Sequence, residues 1–264
     1  MAIIEIEIVS DVICPWCYIA SRNLQKAITL YKKTYPDGSN DSFSITWTPY
    51  FIDQVPPAES ILVQGMSASA TRTPHHTIPS WKRDKLSVIE IDRMLRRMTP
   101  EQVSAAQTRL KRVGAASGIQ FKFGGYVGSS RLAHRLLHLV KEKKGGEVQD
   151  RLAEMLFHYQ FEREADVSEE DVVVEAGGRV GLGEEEVRGW LATDEGVEEI
   201  EEQGRQARDA GVQGVPHIIV GGQHHFDGAL DVSEFFEAVV LARQSGLSRY
   251  WDTGSFLEVG LELH

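Results

Sequence analysis

Apolar and polar positions alternate at the start of the chain. Ile3, Ile4, Ile6, Ile8 and Val9 are interleaved with Glu5 and Glu7, and Ser10-Asp11 closes the run. A period of two predicts a strand. At Pro15 the period lengthens. Trp16, Ile19, Leu24, Ala27, Ile28 and Tyr31 recur at helical spacing until Pro36-Asp37-Gly38 stops the run. Alternation returns over 43–50 (FSITWTPY), which predicts a second strand. The stretch 53–80 is rich in Pro, Ser, Thr and Ala and has no period, so it reads as a long loop.

A helical tract follows to about residue 210. Leu132, Leu136, Leu139 and Val140 share one face, and Val148, Leu152, Met155, Leu156 and Tyr159 share another. Phe157 and Phe161 lie off that second face, so their helix should be buried on more than one side. Ser168-Glu169-Glu170-Asp171 predicts a helix start capped by Ser168, with acids in its first turn. Val197, Ile200, Gly204 and Ala207 form a narrow stripe suited to close packing. Near 212 the period changes again. His217–Val220, Gly221-Gly222 and Gln223–Phe226 predict strand, two-residue turn, strand. Residues 231–243 predict a last helix that buries Val232, Phe235, Phe236, Val239 and Val240.

The order is therefore βαβ, a helical block, then ββα. This divides the chain into a discontinuous α/β unit, 1–53 with 211–246, and an inserted loop and helical unit, 54–210. A tail, 247–264, follows. The chain has 264 residues, enough for one large domain or two. The net charge of −11 argues against nucleic acid or an anionic membrane as a general partner. The acids concentrate in 147–210, while 82–112 is basic and includes Arg93, Arg96 and Arg97, the residues that an anion patch would use. The first residues lack the basic head of a signal peptide, and no apolar run is long enough to span a membrane. The expected location is cytoplasmic.

Two cysteines are present, Cys14 and Cys17, in Cys14-Pro15-Trp16-Cys17. A bridge across so short a loop would restrain the unfolded chain little, so these thiols point to chemistry. A structural zinc site needs four ligands, and neither His75-His76 nor His224-His225 is well set to complete one, because adjacent strand residues point to opposite faces. No metal is expected. The strand-to-helix junction aims backbone N–H groups and the positive dipole end at Cys14, which should lower its pKa. Cys17, three residues on, should be more buried, with the higher pKa. Gly214-Val215-Pro216 opens the hairpin, where a strand tolerates proline. A cis Val215–Pro216 bond there would turn the Val215 backbone outward beside Cys14, free to pair with an extended substrate. Trp16 is placed to touch substrate. Asp11 could relay protons or simply cap the turn. His134 and His138 fall opposite Leu132, Leu136 and Val140, which predicts a solvated or interface role.

Ser10-Asp11, Cys14-Pro-Trp-Cys17-Tyr18 and the helix after them resemble the DsbA-like thioredoxin superfamily. More narrowly they resemble its FrnE-like branch of dithiol-disulfide isomerases. Ala133-His134-Arg135-Leu136-Leu137-His138 and Leu156-Phe157 are similar to that branch's inserted helices, and Gly211–Pro216 to its cis-proline segment. The resemblance implies a thioredoxin-like sheet with a large helical insertion. It also implies a thiol-disulfide oxidoreductase or isomerase using Cys14, Cys17 and Pro216. The substrate would be a thiol or disulfide, carried by a protein or by glutathione acting as co-substrate, with no other cofactor. Oligomeric state is open, a homodimer included. A second resemblance, to kappa-class glutathione transferases and 2-hydroxychromene-2-carboxylate isomerases, implies a glutathione cofactor. Those enzymes carry a hydroxyl residue where this chain has Cys14. A binding or chaperone module is the third alternative, but binding alone needs no thiol pair.

Overall fold

A computed structural model describes residues 1–54, 60–62 and 99–252. The His75-His76 pair, the Arg93, Arg96 and Arg97 group, most of the 53–80 loop and the end of the tail lie outside the described residues.

Strand β1, Ile3–Ser10, buries Ile4, Ile6 and Ile8 and turns Ile3 and Glu5 outward, as the alternation requires. It is followed by α1, Pro15–Thr34, and by β2, Ser42–Pro49. β1 and β2 pair in parallel, Ile3 opposite Ser42 and Ser10 opposite Pro49. Helix α1 is the crossover that a parallel pair needs. Much later come β5, His217–Val220, and β6, His224–Asp227. β5 runs antiparallel to β1, with Val9 opposite His217, and β6 antiparallel to β5. The sheet order is β2-β1-β5-β6, so the two ends of the chain build one mixed sheet with β1 inside it.

Between them lie β3, Ile61–Leu62, and β4, Tyr126–Val127, a short antiparallel pair that the sequence pattern did not suggest. The helices are α2 (Pro100–Ser117), α3 (Arg131–Lys144), α4 (Gly146–Glu162), α5 (Glu170–Arg179), α6 (Glu184–Leu191) and α7 (Val197–Asp209). Helix α8, Val232–Asp252, closes the chain against α1, β1 and β5. It runs past 246, so the first residues assigned to a tail are helical.

Two local expectations are corrected. Three residues, Gly221–Gln223, separate β5 from β6, with Gly221 and Gly222 both at positive φ. The glycines suit the turn, but it is one residue longer than a two-residue hairpin. Ser168 does not cap α5. Its N–H and hydroxyl both donate to Asp166 Oδ1, at 3.0 and 2.6 Å, and Glu169 is the cap position. The acids Glu170 and Asp171 do occupy the first turn.

One hydrophobic core runs from the sheet into the helical block. It joins Ile4, Ile6 and Ile8 to Tyr31 of α1, Phe235 and Val239 of α8, and Leu136, Leu156 and Phe157 of the block. Helix α4 is buried on more than one side, including Leu152, Phe157 and Phe161. Its Gln149 covers the edge strand β2, accepting from Trp47 N–H and donating to Trp47 C=O, both at 3.1 Å. That satisfies backbone groups a free edge would expose. The stripe on α7 buries Ile200, Gly204 and Ala207 and leaves Val197 exposed. A Cβ on Gly204 would lie 3.1 Å from the Phe51 ring, so the small residue sets this approach.

Candidate active site

Strand β1 delivers the chain to a tight turn, closed by the Cys14 N–H donating to Asp11 C=O at 2.9 Å. Cys14 is the N-cap of α1 and Pro15 its first residue, where a missing N–H costs nothing. Both thiols are free. Cys14 is 4% exposed and Cys17 fully buried. The Cys17 thiol, as hydrogen-bond donor, favours a Cys14 thiolate and outweighs burial, which opposes it. The Cys17 and Trp16 N–H groups add to the lowering, and the result is a Cys14 pKa below the ordinary thiol value. Burial, then the Cys14 sulfur itself, pushes Cys17 well up. The pair is thus asymmetric: one sulfur set at a helix start and poised to ionise, the other held as a thiol beneath it.

The opening of β5 meets this turn. The Val215–Pro216 peptide bond is cis, Pro216 is buried, and the Cys14 thiol faces the Val215 carbonyl at 3.6 Å. The sheet register explains the meeting, since Val9, near the end of β1, pairs with His217. Residues 201 positions apart in sequence therefore meet at one sulfur.

The family of DSBA-like thioredoxin domains matches residues 5–240. The chain belongs to that family. Among solved structures, the probable DsbA oxidoreductase of Streptomyces coelicolor is similar over 99% of this chain and 94% of its own, at 23% identity and a TM-score of 0.70. A 2-hydroxychromene-2-carboxylate isomerase is similar over 94% of this chain and 98% of its own, at 13% identity and a TM-score of 0.57. The cytosolic disulfide reductase DsbM of Pseudomonas aeruginosa, solved with glutathione, covers 94% of this chain and 99% of its own, at 14% identity and a TM-score of 0.53. At these identities the likeness is one of fold. No curated protein sequence matches the chain.

The DSBA-like frame places the remaining candidates. Trp16 is half-buried, and the Arg109 guanidinium of α2 lies 4.9 Å from its ring centre. The site rim therefore carries a cation on an aromatic face, a pairing that no sequence motif pointed to. Tyr18, fully buried, donates to Glu162 Oε1 at 2.6 Å and accepts from Arg22 at 2.8 Å. Burial, then Glu162, pushes its pKa up. Ser21 donates to Glu154, and Arg22 lies 3.2 Å from the same carboxylate. These contacts fasten the dithiol helix to α4 at Glu154 and Glu162.

Asp11 is buried with no exposed surface. Its Oδ2 accepts the Ile52 N–H at 2.9 Å, and its Oδ1 the Ile13 N–H at 3.3 Å. The turn is therefore held by this carboxylate, and its charge also bears on both sulfurs.

His134 corrects the sequence reading. It is 3% exposed, with Nε2 3.4 Å from Asp11 Oδ1. At His134 the helical face opposite Leu136 is covered, because α3 packs on α4 through one side and meets α7 and Phe51 through the other. His138 is half-buried. His217, next to Pro216, has both ring nitrogens engaged, by Asp227 at 2.7 Å and His225 at 3.2 Å. Among the described residues no group of His, Cys, Asp and Glu is set to hold a metal ion, and no helix is long and apolar enough to cross a membrane.

Proposed function

We propose that this DSBA-like chain is a thiol-disulfide oxidoreductase of the FrnE-like type, working in the cytoplasm through Cys14 and Cys17. One observation carries the reading: a thiol at the N-cap position of α1 with a lowered pKa, paired with a buried partner thiol and against the Val215 carbonyl. Cys14 thiolate attacks a substrate disulfide, releasing one substrate thiolate and forming a mixed disulfide. Cys17 then attacks the Cys14 sulfur, the second substrate thiolate leaves, and the protein holds a Cys14–Cys17 disulfide. The reverse sequence oxidises a dithiol substrate. The backbone of Val215 and Pro216 binds the substrate segment, Trp16 forms the rim, and Asp11 accepts the proton that Cys17 gives up. The substrate is a protein disulfide or glutathione, the latter as co-substrate. The lowered Cys14 pKa supports thiolate attack at neutral pH, where an ordinary thiol is mostly protonated.

The test is mixed-disulfide trapping. Cys17→Ser should accumulate a covalent adduct through Cys14 when treated with oxidised glutathione or a disulfide-bonded peptide, and Cys14→Ser should form none. Wild type should pass through the adduct to the internal disulfide. A Cys17→Ser protein that forms no adduct, yet with reduced glutathione isomerises or conjugates an electrophilic substrate, would replace this reading by the glutathione-dependent one.

A further inference from the structure

Thiol-disulfide exchange at a buried pair requires a route for protons. Cys17 is fully buried, and its thiol must lose a proton each time it resolves a mixed disulfide. Asp11 is buried as well, so a proton arriving there has not yet reached water. The Asp11 carboxylate bears on Cys17 through its charge, and among the described residues the titratable side chain that pairs with that carboxylate is His134.

The placement of His134 Nε2 is unusual in one respect. It lies 3.4 Å from Asp11 Oδ1, an acceptor, and 3.4 Å from the Val12 N–H, a donor. When Nε2 carries a hydrogen it can donate to Asp11. When bare it can accept from Val12. The ring nitrogen thus has a partner with or without its proton, and no buried polar group is orphaned by the change. A histidine serving only as a structural tie needs one of these contacts, not both.

The same ring lines a largely enclosed cavity of about 20 Å³, shared with Thr48, His138, Lys141, Gln149 and Gln203. That volume accommodates one water, and the lining supplies the polar partners a buried water requires. His138 and Lys141 are half-buried, so the far side of the cavity approaches the surface. Of the other charged groups nearby, Glu7 accepts from Thr48, Arg131 lies over Phe51 and pairs with Glu201, and Arg208 lies over Tyr50 with its buried Nη1 outside any hydrogen bond.

We propose that His134 is a positioning and proton-relay residue that connects Asp11 to solvent through this water-sized cavity and the His138–Lys141 exit. The proposal rests on the dithiol reading above. In the resolving step the Cys17 S–H bond breaks and the Cys14–Cys17 bond forms, while the substrate sulfur leaves as a thiolate. The Cys17 proton passes to the Asp11 carboxylate and from there to His134 Nε2. The ring releases a proton from its other nitrogen to water in the cavity. No oxidant beyond the substrate disulfide is needed.

The experiment follows glutathione adducts. Reduced protein is mixed with oxidised glutathione, quenched in acid at intervals and weighed by mass spectrometry between pH 6 and 9. His134→Gln keeps a donor and an acceptor beside Asp11 and Val12 but carries no exchangeable charge. Its Cys14–glutathione adduct should persist roughly ten-fold longer than in wild type at pH 6–7, less than the roughly hundred-fold or more of a group that acts on the reacting atoms directly, because His134 acts through Asp11. The gap should close toward pH 9, where hydroxide takes the proton directly, and the rate of Cys14 alkylation should match wild type. Gln203→Leu, a half-buried change that removes a water partner, should show the same pH-dependent delay to a smaller degree, and reads the relay even where His134→Gln fails to fold. Equal adduct lifetimes in wild type and variants, or a delay of one size at all pH values, overturns the relay. A wild-type protein that forms neither the adduct nor the internal disulfide overturns the dithiol reading, and the relay with it.

Discussion

Asp41 offers a sharp test of what holds the dithiol helix in place. Its carboxylate is fully buried at the junction of α1, β2 and α8. Oδ1 accepts the Ala2 N–H at 2.6 Å. Oδ2 accepts the Tyr31 hydroxyl of α1 at 2.7 Å and the Arg243 Nε–H of α8 at 2.6 Å. Arg243 is 13% exposed and lies over the Tyr35 ring. One carboxylate thus ties the chain start, the crossover helix and the last helix together. Asp41→Ala leaves three donors without their acceptor, one of them charged. Breaking a buried pair by removing one partner costs about 3–5 kcal/mol. Arg243 can turn partly to water, so the low end, about 3 kcal/mol, applies here. In a chain of this size that corresponds to a melting temperature lowered by roughly 6–12 °C.

The assay is thermal unfolding of the reduced protein by circular dichroism. Cys14 alkylation at 25 °C serves as a control that should not change, since Asp41 lies at the far end of α1. The acid arm has a definite sign. Burial pushes the Asp41 carboxyl up, but hydrogen bonds from Ala2, Arg243 and Tyr31 outweigh it and hold the pKa below the usual carboxylate range. The folded protein therefore holds this proton less readily than the unfolded chain. The stabilisation is complete above about pH 4, the ordinary carboxylate value, and fades as pH falls through the lower folded value. The gap between wild type and Asp41→Ala should be level from neutral pH to about 5 and narrow below about 4. A melting temperature within about 3 °C of wild type at pH 7, or a gap that widens in acid, would refute the reasoning.

Gly114→Ala sets two effects against each other: a helix-propensity gain of up to about 1 kcal/mol and a new Cβ in a filled space. That Cβ would lie 2.4 Å from the Phe121 ring, which is wedged among Tyr18, Phe123 and Phe161, so a net loss of about 1–2 kcal/mol is expected from the urea midpoint. Gln149→Leu strips both Trp47 backbone partners and should cost about 2 kcal/mol in the same assay, without altering the rate of Cys14 alkylation. Iodoacetamide should label Cys14 before Cys17 near neutral pH, and first labelling of Cys17 would invert their roles. The reduced wild type should gain stability over Cys14→Ser as pH rises toward about 8.5, because the folded Cys14 ionises first. The gain should level off above that value, where the unfolded Cys14 is ionised as well.

The sheet was legible because its strands carry their own signals. Glu5 and Glu7 mark β1 by alternation, and the Gly221-Gly222 pair marks the reversal between β5 and β6. Chain order then constrained the pairing, since a βαβ start favours a parallel neighbour and a hairpin an antiparallel one. Where the reading missed, short-range competition explains it. Ser168 resembles a cap in sequence, yet Asp166 two residues earlier takes both its N–H and its hydroxyl. The last helix outran the predicted boundary because beyond residue 243 its apolar spacing loosens while nothing in Gln244–Asp252 forbids a helix.

The site shows a different limit. Cys14 and Cys17 are visible because their chemistry is rare in a chain that has no other cysteine. Asp11 and His134 are common residue types, 123 positions apart, and neither lies in a spacing that announces the other. Periodicity even misdirected His134, because it tells which face of a helix is apolar and not how many faces are covered. Helix α3 meets α4 on one side and α7 with Phe51 on the other, so its less apolar face is covered at His134 too. A polar residue on such a doubly covered helix must find a partner, and His134 finds the dithiol turn, its carboxylate and its Val12 N–H alike. The contact therefore follows from packing rather than from local sequence. That is why the relay could be inferred only after the turn, the helix and the cavity beside them had been placed in one frame.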